Sequence, residues 1–399
     1  MSTVNIAWAV VSTALVLVMT PGVAFFYGGL VRSKSVVSMM MLSFGAMGIV
    51  GLLWVIVGFG MSSVEKPSDF AGDPFANFAL SGIDDQTLLY AAFGATFAII
   101  TVALISGAIA DRAKFGPWMI FAGTFAVLVY FPVSAWVWGG GWIMSLGETM
   151  NLPAVIDYAG GTAVHINAGA AALALALILG KRVHFGKVAH QPHNVPLTLT
   201  GVAMLWFGWF GFNAGAQAFG NMEQVGLITI NTLVATSSAI LGWMLVEGYR
   251  TRKATSVGAG SGAIAGLVAI TPACANLTPG FAILLGILVG VVCAFAIELK
   301  FALGFDDSLD VVGIHLVGGI VGTIFLGFFA TQTGLFTGGG YGQLLVQTIA
   351  AGGVLAYSFL ASLVIGFVLE KTIGFRASIR EEIKGIDTVV HGEEGYALN

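Results

Sequence analysis

The chain has 399 residues, of which 57% are hydrophobic and only 9% are charged. In soluble globular proteins about a quarter of the residues are charged, so this composition excludes that class and indicates a polytopic membrane protein. Cys274 and Cys293 show no pairing or ligand pattern, and we expect no disulfide, no metal site, no cofactor and no nucleic-acid partner.

Apolar stretches long enough to cross a bilayer recur eleven times along the chain. They are too long and too continuous for β-barrel strands, which have about ten residues of alternating polarity. We therefore predict an all-α membrane protein with eleven transmembrane helices. The predicted spans are residues 6–30, 36–61, 88–110, 116–138, 161–180, 196–219, 225–247, 257–274, 280–299, 311–330 and 342–370.

Basic residues occupy alternate loops. Of the 16 basic residues, all but Lys66 follow an odd-numbered span or lie in the C-terminal tail. The loop after the fifth span, for example, carries Lys181, Arg182 and Lys187. Lys and Arg in short loops resist translocation, so we predict that the N-terminus is outside and that these loops and the tail are cytoplasmic.

Two histidines lie inside apolar spans, where ionisable groups are costly and require an explanation. His165 is predicted near mid-membrane depth, in a helix that begins at about Gly160. In each case an aspartate precedes the histidine by eight residues and a glycine follows it by four: Asp157, His165 and Gly169 in one segment, and Asp307, His315 and Gly319 in the other. This repetition indicates that the two histidines are symmetry mates.

Spans 1 and 6 are also similar, because residues 21–32 and 206–215 are both glycine-interrupted aromatic stretches. We therefore predict two five-helix halves, residues 6–180 and 196–330, of opposite membrane orientation. Inverted repeats of this kind have their substrate path at the interface between the halves.

The chain continues beyond the two halves with one more span and a charged tail. Span 342–370 is long enough to tilt steeply as an eleventh helix. We predict one transmembrane domain, residues 1–370, and one charged cytoplasmic regulatory tail, residues 371–399.

Five segments, taken in chain order, resemble the ammonium transporter family (Amt/MEP/Rh), and specifically its prokaryotic Amt-type members. The resemblance covers nearly the whole chain. The segments are residues 26–32 (FYGGLVR), 157–167 (DYAGGTAVHIN), 209–215 (WFGFNAG), 310–315 (DVVGIH) and 391–393 (HGE). One such match would be weak, but five in the family's order are specific.

A lone buried histidine is more often a structural group than a functional one. Two histidines at symmetric depth are different, because each needs a polar partner in hydrocarbon and the other imidazole is the nearest candidate. The resemblance implies that His165 and His315 line a narrow hydrophobic pore and hydrogen-bond to each other. There they could bind ammonia or relay a proton.

The resemblance also implies an outer recruitment site for ammonium and a gate beneath it. Trp138 corresponds to the aromatic residue of that site, where a cation–π contact contributes about 0.5–2 kcal/mol, and Asp157 to the carboxylate below it. Phe97 and Phe212 correspond to two stacked gate phenylalanines. Without the resemblance, Trp138 would be interpreted as an interfacial residue and both phenylalanines as ordinary packing. The supporting residues are Phe26, Trp209, Thr271, Asp307 and Asp310.

Two positions depart from the family pattern. Ala216 stands where a serine commonly accepts a hydrogen bond from the bound ammonium, and Gly94 stands where a glutamine is often found. We expect an outer site that is weaker or differently arranged.

The resemblance implies transport of ammonium, with methylammonium as an analogue, through a homotrimer in the cell membrane. It also implies that a PII-type signalling protein binds at the cytoplasmic face. An ammonium sensor is one alternative, and a membrane-embedded enzyme using the His and Asp residues is another. The chain contains no H-E-x-x-H or G-x-S-x-G motif, and we predict that it is not an enzyme.

Overall fold

The computed structural model describes residues 1–183, 185–186 and 191–396. Within these residues, ten helices are long and apolar enough to cross a membrane, and an eleventh apolar helix has 15 residues. In chain order they are α1 Thr3–Leu30, α2 Val36–Met61, α3 Asp85–Ile109, α4 Phe115–Trp138, α5 Gly161–Leu179, α6 Val195–Phe219, α7 Val225–Thr251, α8 Ser256–Ile270, α9 Pro279–Leu303, α10 Val312–Phe329 and α11 Gly342–Thr372.

The all-α prediction is confirmed, because the described residues contain no strand and only an isolated bridge between Ala113 and Arg376. Each predicted span overlaps one of the eleven helices. The count of eleven crossings stays a prediction, since the 15 residues of α8 extend only about 22 Å against a hydrocarbon core of about 30 Å. Lys187 and residues 397–399 of the tail lie outside the described residues.

Side-chain caps and prolines fix where several helices begin. Asp84 accepts hydrogen bonds from two backbone N–H groups at the start of α3. Asn194 accepts one at the start of α6, and Thr278 accepts one at the start of α9. Both α6 and α9 also have a proline in their first turn, where its missing N–H costs nothing.

Helices α1 and α6 cross at very short range because glycines line their shared face. A Cβ added at Gly201 would lie 2.2 Å from the backbone nitrogen of Phe26, and one added at Gly29 would lie 2.5 Å from that of Thr198. Small residues of this kind let two backbones approach closely. The two helices run antiparallel, so the aromatic stretch 21–32 packs against the first half of α6. The stretch 206–215 packs against an earlier part of α1, where a Cβ added at Gly208 would lie 2.5 Å from the Leu15 carbonyl oxygen.

Ion pairs hold the basic loops together at one end of the bundle. Arg182, after α5, pairs with Asp306, before α10, at 2.9 Å, and with Asp111, after α3, at 3.2 Å. Arg32, after α1, lies 3.6 Å from Asp111. Arg112 is fully buried beside them, and burial lowers its pKa to about 10, which leaves it charged at neutral pH.

The tail lies against these same loops. The Phe375 carbonyl accepts from the Lys114 backbone N–H at 3.0 Å. The carboxylate of Asp387 accepts from the backbone N–H groups of Val37 and Ser38 at 3.0 and 2.7 Å, which caps the start of α2. The described part of the tail is thus held by contacts with its own chain.

Candidate functional site

Both histidines lie in π-helical turns that open their helices. The first turn of α5 is π-helical over Gly161–Ile166, and that of α10 over Val312–Leu316. The His165 backbone N–H accordingly donates to the Gly160 carbonyl, five residues earlier, at 3.0 Å. Such turns are rare and are found frequently at functional sites.

The two imidazoles meet in the interior. Nδ1 of His315 lies 3.3 Å from Nδ1 of His165, and the ring centroids are 5.4 Å apart. Only 1% of His165 and 3% of His315 is exposed. In a neutral pair one Nδ1 donates and the other accepts, so one Nε2 is left as an acceptor and the other as a donor. Nε2 of His165 has no hydrogen-bond partner among the described residues.

A small cavity of about 10 Å³ surrounds the pair. A single water molecule needs about 10–15 Å³, so the space suits one small molecule at a time. Apart from the histidines and Tyr27, the walls are apolar. The cavity is lined by Val23, Phe26, Tyr27, Ile100, Leu104, Val164, His165, Leu205, Trp209, Phe212, Ile264 and His315.

Glycines let α5 and α10 cross at the level of the histidines. A Cβ added at Gly169 would lie 2.5 Å from the backbone nitrogen of Leu316. One added at Gly319 would lie 3.1 Å from Cβ of His165. The glycine four residues after each histidine therefore gives space to the other histidine segment.

Asp157 caps the first histidine helix. Its Oδ1 accepts from the backbone N–H groups of Gly160 and Gly161 at 2.8 and 2.6 Å. Its Oδ2 accepts from those of Thr162 and Ala163 at 2.8 and 3.2 Å and from the Thr162 hydroxyl. Both carboxylate oxygens are thus engaged by the helix, and the charge is held next to its N-terminus.

Asp307 caps the second histidine helix with fewer bonds. It accepts from the backbone N–H groups of Val311 and Val312 at 3.1 and 2.7 Å. The pKa of Asp307 is raised to about 6, first by burial and then by the charge of Asp310, against the opposing charge of Lys300. Asp310 itself pairs with Lys300 at 2.5 Å.

A second, much larger cavity of about 1350 Å³ shares Phe212 with the histidine cavity, and we call it the outer cavity because Trp138 of the predicted outer site lies on its wall. Phe97 and Phe212 stack at 4.3 Å between their ring centroids, and Phe212 lines both cavities. Trp138 meets Phe97 edge-on at 6.2 Å. The indole N–H of Trp138 donates to the Asp157 carbonyl at 2.8 Å, which fixes the ring on the outer-cavity wall.

Trp209 and Thr271 support His165 from one side. The Trp209 ring stacks on the His165 ring at 5.6 Å. Its indole N–H donates to the Thr271 hydroxyl at 2.8 Å, and that hydroxyl donates to the Leu267 carbonyl at 2.8 Å. The chain of bonds holds the tryptophan in one orientation.

The two departures from the family pattern both lie on the outer cavity. A Cβ added at Gly94 would lie 2.7 Å from the indole of Trp54, which fills the space that a side chain would need. Trp54 is itself fixed, since its N–H donates to the Ala91 carbonyl at 2.8 Å. Ala216 lines the cavity wall without a hydroxyl.

Several lining residues were missed in the sequence. Ile100 and Leu104 follow Phe97 by three and seven residues, so they share its helix face. Leu205 precedes Phe212 by seven residues, on the helix face of Trp209, which the sequence had already indicated. Extending the helical period from each candidate phenylalanine would have found these three residues.

The apolar helices define an integral membrane protein whose bundle encloses a buried histidine pair and a small cavity beside it. The model of the Ammonium Transporter Family matches residues 7–396. This chain belongs to that family, as its sequence motifs predicted, and the family is one of transporters.

Relatives match over almost the whole length. An ammonium transporter of Mycobacterium tuberculosis is 47% identical over 433 residues, covering 98% of this chain and 89% of that protein. One of Aquifex aeolicus is 44% identical over 411 residues, covering 100% and 94%. The crystal structure of Candida albicans Mep2 is 33% identical, with a TM-score of 0.86 and coverage of 96% and 88%. A structure described as a sensor Amt protein is 27% identical, with a TM-score of 0.88 and 98% coverage of both chains.

Proposed function

We propose that this protein transports ammonium across the cell membrane by conducting it through the path that joins the outer cavity to the histidine cavity. The observation that carries the proposal is the order of groups along that path in a member of the ammonium transporter family. An aromatic cation site comes first, a stacked phenylalanine pair follows, and a paired histidine lies in an apolar cavity beneath.

Ammonium is recruited at the face of Trp138. A cation that has lost part of its hydration shell is attracted to an indole face by about 0.5–2 kcal/mol. The Trp138 indole N–H donates to the backbone carbonyl of Asp157, and the carboxylate of the same residue adds a longer-range attraction. Because both oxygens of Asp157 are bound by backbone N–H groups, it acts by its charge and not by contact.

The substrate gives its proton to water in the outer cavity, and neutral ammonia then enters the histidine cavity. A cation in that apolar space would carry a large desolvation cost, whereas neutral ammonia would not. Movement of the Phe97 and Phe212 rings opens the path. Because the two Nδ1 atoms bond to each other, the Nε2 atoms of His165 and His315 exchange hydrogen bonds with ammonia or relay the proton. Potassium has no proton to lose, so the same cavity excludes it.

The proposed function extends to the membrane topology, the assembly and the tail. We propose that the chain crosses the membrane eleven times with the N-terminus outside, as two inverted halves plus α11, and assembles as a homotrimer. The loops joined by Arg182 would then face the cytoplasm. The tail, which caps α2 through Asp387, would be a regulatory element that a PII-type protein can reach.

The test is uptake of labelled methylammonium by liposomes containing the purified protein. We expect saturable uptake that unlabelled ammonium inhibits and that an equal concentration of potassium does not. Protein-free liposomes measure the leak. Uptake equal to that leak, from correctly folded protein, would refute the proposal.

A sensor is the second candidate, because a structure described as a sensor Amt protein is similar over 98% of this chain. A sensor would bind ammonium without moving it. Saturable binding to the detergent-solubilised protein, combined with no uptake above the leak, would favour this function over transport.

A further inference from the structure

A cation in the outer cavity needs hydrogen-bond acceptors. Ammonium has four N–H donors, and each one that leaves water costs free energy unless an acceptor replaces the water. The residues assigned to the recruitment site from the sequence do not supply one: both Asp157 oxygens are already bound by the α5 N-terminus, the Trp138 N–H is itself a donor, and Ala216 has no hydroxyl.

Tyr158 lies on the wall of the same cavity as Trp138 and Ala216. It directly follows Asp157, whose carbonyl binds the Trp138 indole. Its hydroxyl accepts a hydrogen bond at 2.8 Å from Nε2 of Gln217, the residue after Ala216. Tyr158, Trp138 and Ala216 all line the outer cavity. The tyrosine thus bridges the two sides of the recruitment site.

Gln217 donates to the Tyr158 hydroxyl, so the phenolic oxygen acts as an acceptor in this contact. Its Oε1 accepts from the Gln224 backbone N–H at 3.1 Å, so its Nε2 is the end that faces Tyr158. A phenolic oxygen has two lone pairs and one hydrogen. With one lone pair taken by Gln217, the other lone pair remains for a donor in the cavity.

We propose that the Tyr158 hydroxyl, positioned by Gln217, accepts a hydrogen bond from ammonium at the outer site and sets the apparent affinity of recruitment. This inference rests on the proposed transport function and adds a binding residue and a positioning residue to it. The hydroxyl supplies on this wall the acceptor that Ala216 lacks.

The test is the ammonium concentration that halves methylammonium uptake in liposomes. Tyr158→Phe keeps the ring and removes only the hydroxyl, and we expect that concentration to rise about tenfold. Gln217→Leu should raise it a few-fold by freeing the hydroxyl. In the double variant Gln217→Leu should add nothing to Tyr158→Phe, because the two act through one hydrogen bond.

Two controls remove other hydroxyls from the same cavity. Tyr90→Phe changes a more exposed residue of the wall, and Ser134→Ala changes a buried one that lies one turn before Trp138 on α4. Both should leave the inhibitory concentration unchanged. Should Tyr158→Phe not yield folded protein, Gln217→Leu carries the test alone.

The outcomes separate the two proposals. An inhibitory concentration within twofold of wild type in Tyr158→Phe, with uptake intact, overturns the role of Tyr158 and leaves transport standing. A shift in Ser134→Ala and not in Tyr158→Phe would assign the acceptor to Ser134 instead. Absence of uptake in the wild-type protein refutes transport itself, and the inference fails with it.

Discussion

The two histidine segments share one spacing but are held differently. Asp157 accepts five hydrogen bonds from the start of α5, whereas Asp307 accepts two from the start of α10 and has Asp310 and Lys300 as charged neighbours. His165 stacks on Trp209, which Thr271 fixes. The comparison teaches that two segments with the same spacing can place their histidines alike while different hydrogen bonds and charges stabilise each segment.

The largest expected effect comes from removing the imidazole that both histidine segments contribute to the cavity. We expect His165→Leu and His315→Leu each to change methylammonium uptake about tenfold or more while the protein stays folded, since leucine keeps the cavity apolar but cannot exchange hydrogen bonds. An aspartate at either position should admit water and potassium. Uptake and potassium flux in liposomes measure both effects. Unchanged uptake and selectivity in both leucine variants would contradict the paired role.

Replacing Asp157 and Asp307 tests whether the two helix caps stabilise the fold to different extents. Asp157→Asn removes the charge from five hydrogen bonds and should lower the free energy of unfolding by about 3 kcal/mol, since bonds to charged groups are the stronger ones. Asp307→Asn affects two bonds and should cost about 1 kcal/mol. Unfolding of the detergent-solubilised variants measures the difference. Equal losses would show that the number of bonds does not decide the support.

The glycine crossing provides a third comparison. An added Cβ at Gly169 would lie 2.5 Å from backbone, which cannot move aside, while one at Gly319 would have its nearest neighbours at 3.1 Å. Gly169→Ala should therefore destabilise by about 1–3 kcal/mol. Gly319→Ala should be close to neutral, because the helix propensity of alanine offsets the tighter contact. The same unfolding assay measures both variants. A larger loss of stability in Gly319→Ala than in Gly169→Ala would contradict the prediction from these distances.

The smallest expected effect concerns the Trp209 ring, which stacks on His165 and is held by the Thr271 hydroxyl. Thr271→Val leaves the Trp209 indole N–H without its acceptor and should cost about 1 kcal/mol, with a modest loss of uptake. Thr271→Ser keeps the hydroxyl and is the matched control. If serine and valine behave alike, the hydroxyl does not orient Trp209.

Much of the fold was predictable because a bilayer imposes local rules. A spanning helix must satisfy its own backbone and present about 20 apolar residues, so the ends of α2 and α4 could be placed within a residue. The short α8 was predicted too long, at 257–274, because the apolar sequence continues past Ile270 into a buried turn that composition cannot distinguish from helix.

The candidate site was predictable only in part. The repeated spacing around His165 and His315 marked the histidines, and the family resemblance supplied Trp138, Phe97 and Phe212. Neither indicated the contact of Tyr158 with Gln217, which joins residues 59 positions apart in the chain. A side chain with a polar end has many possible partners, and packing selects one of them.

The sequence by itself therefore determined the class of protein, its helices and the two Asp and His segments, because length, apolarity and spacing act within a single helix. The tertiary structure alone decided how the predicted histidine pair is brought together: α5 and α10 cross at Gly169 and Gly319, and the two Nδ1 atoms lie 3.3 Å apart. It also decided that Trp54 fills the space beside Gly94. These features depend on how closely two helices approach, and that distance is set by the packing of side chains far apart in the chain.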